Sequence, residues 1–81
     1  MKPLQITRHA RNRMRWRRIA EEDIVDCIRK PETTRSAPSG EVNCWKVVKG
    51  RWLRVVYIEG SAAITVVTVI CPAKPPKEER T

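Results

Sequence analysis

Apolar positions recur at helical spacing through the first thirty residues and then switch to alternation. Ile6, Ala10 and Met14 lie four apart, and with Thr7 as N-cap they predict a helix over residues 7–17. Ile24, Val25 and Ile28 form a second stripe, predicting a helix over 21–29. Its first turn holds Glu21, Glu22 and Asp23, the sign of charge a helix N-terminus favours, and Pro31 ends it. Ile19 and Ile24 are spaced as a hydrophobic staple around an N-cap at residue 20. Beyond that point the period is two. Residues 33–37 read as a short edge strand, and 41–48 and 51–58 as strands joined by a hairpin at Lys49-Gly50. Residues 63–70, after the turn at Glu59-Gly60-Ser61, are the most β-prone stretch. The predicted fold is α+β: two N-terminal helices packed on one face of a three- or four-stranded antiparallel meander, with 51–58 central and the other face open. Residues 1–71 form the single domain. Residues 72–81, with three prolines and five charges, are expected to be a disordered tail.

A chain of 81 residues forms one core. No apolar run nears the roughly 18 residues of a membrane helix, and no apolar stretch follows Lys2 as a secretory signal requires. Cys27, Cys44 and Cys71 make an odd count without CxxC spacing, which predicts reduced thiols in a cytoplasmic protein. Cys27 and Cys44 fall at core-facing positions and are expected to act as small apolar residues. One histidine and three distant thiols make a poor metal set, so neither metal nor cofactor is expected.

Charge changes the picture more than composition. The net charge is +8, and residues 1–20 alone carry +7, from Lys2, Arg8, Arg11, Arg13, Arg15, Arg17 and Arg18 with no acidic residue. Arginine grips phosphate bidentately and stacks on bases, so the bias points to RNA or another polyanion. The alternative is a solvated helix face that only prevents aggregation. Trp16, set among Arg15, Arg17 and Arg18, is the tryptophan expected to be exposed and available for stacking on a base, though it could equally cap the core.

His9 is the only histidine, and it lies four residues before Arg13, so the two share a helix face at the border of the Ala10/Met14 row. It reads either as a general base beside phosphate-holding arginines or as a ring packed on the sheet and bonded to backbone. Arg54 interrupts the central strand, and Lys46 and Thr68 interrupt its neighbours. On one face, these three would hold a phosphodiester and stabilise its developing charge; hairpin registers that the sequence leaves open decide whether they meet.

The segments His9-Ala10-Arg11-Asn12-Arg13-Met14 and Ile19-Ala20-Glu21-Glu22-Asp23-Ile24, with Gly50 through Tyr57 and Val66 through Val69, carry a resemblance. They resemble a widespread family of small prokaryotic proteins catalogued as domain of unknown function 4258. Its pattern reads H-A-x-x-R-M, then R-G-I-S/T-x-x-D/E-I/V, a helix-ending Pro, G-R-x-L-R-V-V-Y and V-V-T-V. The likeness covers roughly residues 5–70. Arg18 stands where the pattern has Gly, and Ala20 where it has Ser or Thr, departures expected to strain the first helix end and to weaken the second helix by about 1 kcal/mol. The family layout is similar to that of the RelE and BrnT toxins, small basic α+β domains that cleave RNA and are neutralised by an antitoxin. Three functions are thus expected in turn. The first is a metal-independent endoribonuclease with His9 as base or acid, Arg13 and Arg54 on the phosphate, and Thr68 on a non-bridging oxygen. Arg8, Arg11, Arg15, Trp16, Arg17, Arg18 and Lys46 would then bind the nucleic acid. The second is a non-catalytic nucleic-acid-binding module using the same arginines. The third is a protein-interaction domain whose partner is acidic, as an antitoxin would be.

Overall fold

The chain begins extended rather than helical. In the computed structural model, which describes residues 1–76, Leu4–Ile6 form a short strand, β1, and Arg8–Arg17 form the first helix, α1. Thr7 joins them. Its backbone is extended, and its hydroxyl accepts the Ala10 amide at 3.2 Å while donating to the Val67 carbonyl at 3.0 Å. At the other end of α1, Arg18 takes the left-handed conformation (φ 54°). The amides of Arg18 and Ile19 return to the carbonyls of Arg15 and Met14 at 3.4 and 2.8 Å. This is the Schellman arrangement, with arginine at the position that suits glycine best.

The second helix, α2, spans Glu21–Arg29. Ala20 offers no side-chain oxygen to its first amides. Only the reverse contact of a capping box forms: the Ala20 amide donates to Asp23 Oδ2 at 3.1 Å, and Lys49 Nζ lies 3.4 Å from the same oxygen. Four strands follow, β2 (Thr33–Ser36), β3 (Val42–Val48), β4 (Arg51–Glu59) and β5 (Ile64–Ile70). The β3–β4 hairpin turns through Lys49 and Gly50, both at positive φ (51° and 80°), as a two-residue type I′ turn requires.

The sheet order is β1-β5-β4-β3-β2, with β4 central and β2 at an edge, as predicted. One expectation fails. The sheet has five strands rather than three or four, and it is not wholly antiparallel, because β1 runs parallel to β5 from Leu4↔Ile64 to Ile6↔Val66. Three residues are too few to display alternation, so β1 leaves no periodic signal. Both helices cover one face, α1 against β5 and α2 against β3 and β4. Ala10, Met14, Ile19, Ile24 and Cys27 from the helix layer pack on Cys44, Leu53, Val55, Val66 and Val69. Of the tail expected at 72–81, residues 72–76 form neither helix nor strand, and 77–81 lie outside the described residues. Among the described residues no helix is long and apolar enough to cross a membrane.

Cys27 and Cys44 are free thiols at the centre of this core, fully buried with their sulfurs 3.5 Å apart. The hydrogen bond to Cys44, with burial, pushes the Cys27 thiol up from its ordinary 9.0, and burial raises Tyr57 from 10.0. The folded chain therefore keeps protons that the unfolded chain releases above those values. The stability contributed by Cys27 and Tyr57 is complete below them and is lost as pH rises through them. Urea midpoints should fall between about pH 8 and about pH 10.5, and Cys27→Ala, though less stable at both, should fall by less. An equal loss in the variant would assign the alkaline sensitivity elsewhere. Arg18→Gly removes a left-handed non-glycine residue and is expected to raise unfolding free energy by about 1 kcal/mol. Chemical denaturation reads this directly, and an unchanged midpoint would mean that the turn carries no strain.

Candidate functional site

The parallel pairing of β1 stops at Ile6↔Val66, so β5 continues past its neighbour with one edge open. There the Thr7 amide bonds the Val66 carbonyl at 3.1 Å, and α1 rises from that edge. A bulge falls at the same level of the sheet. Val56 faces Thr68 but Tyr57 faces Val66, leaving Val67 without an opposite residue on β4. Val66 and Val69 both reach the helix-covered core, while Thr68, opposite Val56, takes the other side of the sheet. His9, the second residue of α1, reaches over the edge to it. Its Nε2 lies 2.9 Å from Thr68 Oγ1 in an exposed contact. The ring is thus held by a side-chain hydroxyl at a solvent-open edge. It is neither buried nor bonded to backbone, the alternative that the sequence left standing.

One helical turn on, Arg13 joins His9, Asn12 and Trp16 around a shallow, mostly apolar concavity of about 260 Å³. Trp16 is 82% exposed. Helical periodicity sets Arg8, Arg11 and Arg15 on the neighbouring flank, all exposed, with Arg17 and Arg18 exposed at the helix end. The Arg18 carbonyl accepts from Arg51 Nη2 at 3.0 Å.

Arg54 shares a sheet face with Thr68, since it lies two residues before Val56 on β4. Its guanidinium points the other way. Nε and Nη2 donate to Asn43 Oδ1 at 3.0 and 2.6 Å, and Cζ sits 5.4 Å from the centre of the Trp45 ring, with Arg35 Cζ 5.5 Å from the same ring. This second cluster on β2, β3 and β4 shares no residue with the concavity at His9. Of the four residues singled out for chemistry, His9, Arg13 and Thr68 come together and Arg54 stands apart. Lys46 faces the helix side opposite buried Leu53, in a depression lined by Glu22, Asp23 and Asp26, and so does not join Arg54. Three contributors escaped sequence reasoning. Asn12 was within reach, three residues after His9 on one face. Arg35 and Asn43 needed the β2–β3 register, which nothing short of the structure supplies.

Residues 6–70, from the last residue of β1 to the last of β5, match the family described as Domain of unknown function (DUF4258). The chain belongs to that family. No curated protein and no solved structure matches it. The DUF4258 span contains every residue of both clusters, so the His9–Thr68 edge and the Arg54–Trp45 face are parts of the family domain rather than additions to it.

A contact as exposed as His9–Thr68 adds little to folding. Thr68→Val in this DUF4258 domain should change unfolding free energy by less than about 1 kcal/mol, as denaturant unfolding would measure. A loss of several kcal/mol would make the couple a structural bond and remove it from consideration as a site.

Proposed function

We propose that this DUF4258 domain binds RNA through α1 and cleaves its backbone at the His9–Thr68 edge without a metal. The 2′-oxygen attacks the adjacent phosphorus as His9 takes its proton, so that the O2′–P bond forms. The P–O5′ bond then breaks, and the departing 5′-oxygen is protonated by the imidazolium or by water. The products are a 2′,3′-cyclic phosphate and a 5′-hydroxyl. Arg13, within the same concavity, holds the phosphate and offsets the charge that builds on it. Thr68 fixes the ring orientation and lies close enough to meet a non-bridging oxygen. Arg54 docks backbone further along the strand. The observation that carries this reading is an exposed histidine, hydrogen-bonded to a hydroxyl, on a helix holding five of the chain's arginines, with a sixth at its C-cap. The toxin-like comparison adds only that domains of similar size and charge perform this reaction.

One observation favours the runner-up, a binding module with no chemistry: the Arg54 guanidinium is already engaged by Asn43 and Trp45, leaving Arg13 as the cation beside His9. Purified protein incubated with RNA in excess EDTA separates the two. Cleavage should leave cyclic-phosphate ends, and His9→Ala should slow it by about 100-fold or more, the usual scale of general acid–base catalysis. Binding without cleavage by the native chain would establish the binding module instead.

A further inference from the structure

Trp16 has no work in the fold. Ala10 and Met14 supply the buried face of α1, Trp45 is 8% exposed and Trp52 is half-buried, yet Trp16 is 82% exposed. It lines the same concavity as His9, Asn12 and Arg13. The order along that flank is histidine, amide and guanidinium, then indole, with His9 and Trp16 seven residues apart, about 10 Å along the axis at 1.5 Å per residue. That distance is about three steps of a stacked strand at 3.4 Å each and fewer in an extended one. We propose that the substrate is unpaired RNA, and that Trp16 selects it by stacking on a base within a few nucleotides of the phosphate at Arg13 and His9.

This inference rests on the RNA reading above and narrows it. A duplex keeps its base faces against one another and offers an exposed indole nothing but sugar and phosphate, whereas a single strand can turn a base outward onto an aromatic ring. The reaction has the same need. The attacking 2′-oxygen, the phosphorus and the leaving 5′-oxygen must come into line, and regular A-form pairing holds them out of line. Asn12, between the two ends, carries an amide whose donor and acceptor suit a base edge. The charge supports an anionic occupant, because no acidic residue lies within residues 1–20. Stacking also explains why so large an apolar side chain stands among arginines. Arg13 grips any phosphate, paired or not, but only the indole distinguishes one from the other.

The test uses the full chain carrying His9→Ala, so that the probe survives. Its affinity is measured for a single-stranded RNA of about 12 nucleotides and for the same strand in a duplex, at low salt. The single strand should bind about 10-fold more tightly. Trp16→Ala should lower single-strand affinity by about 5-fold to about 100-fold, the range for one stacked base, and leave duplex affinity unchanged, with Trp16→Phe keeping most of the preference. Arg13→Ala should weaken both forms alike. Equal affinity for the two forms, or an equal loss of both in Trp16→Ala, would overturn the role of Trp16 while leaving RNA binding intact. Absence of binding to either form would overturn the RNA reading itself, and this inference with it.

Discussion

Thr7 holds the strand layer and the helix layer together, and the candidate site follows from how it does so. Its hydroxyl serves two masters, accepting the Ala10 amide as a helix cap and donating to the Val67 carbonyl of β5. Its amide bonds the next carbonyl back, at Val66. The chain therefore cannot continue as β1 alongside β5. It turns into α1 at the point where the bulge at Val67 opens. His9 is set two residues beyond this junction, so its position over the β5 edge comes from the cap and not from packing of its own ring. Loss of the Thr7 hydroxyl would leave one amide unanswered and one carbonyl bare. It would also free the first turn of α1 to move against the sheet.

The two sheet faces do different electrostatic work. The helix-covered face is apolar at its centre and admits charge at its two ends: Lys2 pairs with Glu59 near Arg29 at one, and Lys46, Lys49 and the acids of α2 meet at the other, with buried Asp23 satisfied by the Ala20 amide and Lys49. The other face carries Arg54 in the middle of the central strand, with no carboxylate partner among the described residues. Its charge is met by the Asn43 carbonyl oxygen and by the π face of Trp45, which leave the positive charge intact while fixing its direction. A guanidinium oriented by neutral partners still projects a field, so the sheet face carries a second basic region at Arg54, separate from the one at α1.

Much of this was legible in the sequence where a signal repeats. The α1 and α2 stripes, the three longer strands and the Lys49-Gly50 turn rest on periodicity and on the conformational habits of glycine, whereas the arginines around Trp16 left its exposure and a place capping the core both open. His9 and Arg13 were placed together by helical spacing alone. What escaped is what arises between elements. β1 is too short to show a period, and its parallel pairing depends on a partner sixty residues away. The Thr68 contact depends on where β1 stops. The single-residue bulge at Val67 lets Val66 and Val69 both face the core, which simple alternation across the strand would forbid. Lys46 and Arg54 were separable only by register, since a one-residue slip exchanges the faces.

Arg18 then ties stability to charge. The Schellman turn needs a left-handed residue there because Ile19 must return to pack beside Met14, both of them buried. Glycine would meet that need at lower conformational cost. Arginine meets it at about 1 kcal/mol, the penalty its Cβ brings in that conformation, and in exchange extends the exposed basic row of Arg8, Arg11 and Arg15 past the end of the helix. Its carbonyl, freed from the helical pattern, is answered by Arg51 from the start of β4, so the strained residue also anchors α1 to the central strand. A residue that weakens its own turn, lengthens the cationic surface and bonds across the layers is best understood as a compromise in which surface charge outranks local stability. That ordering accords with the polyanion binding proposed above.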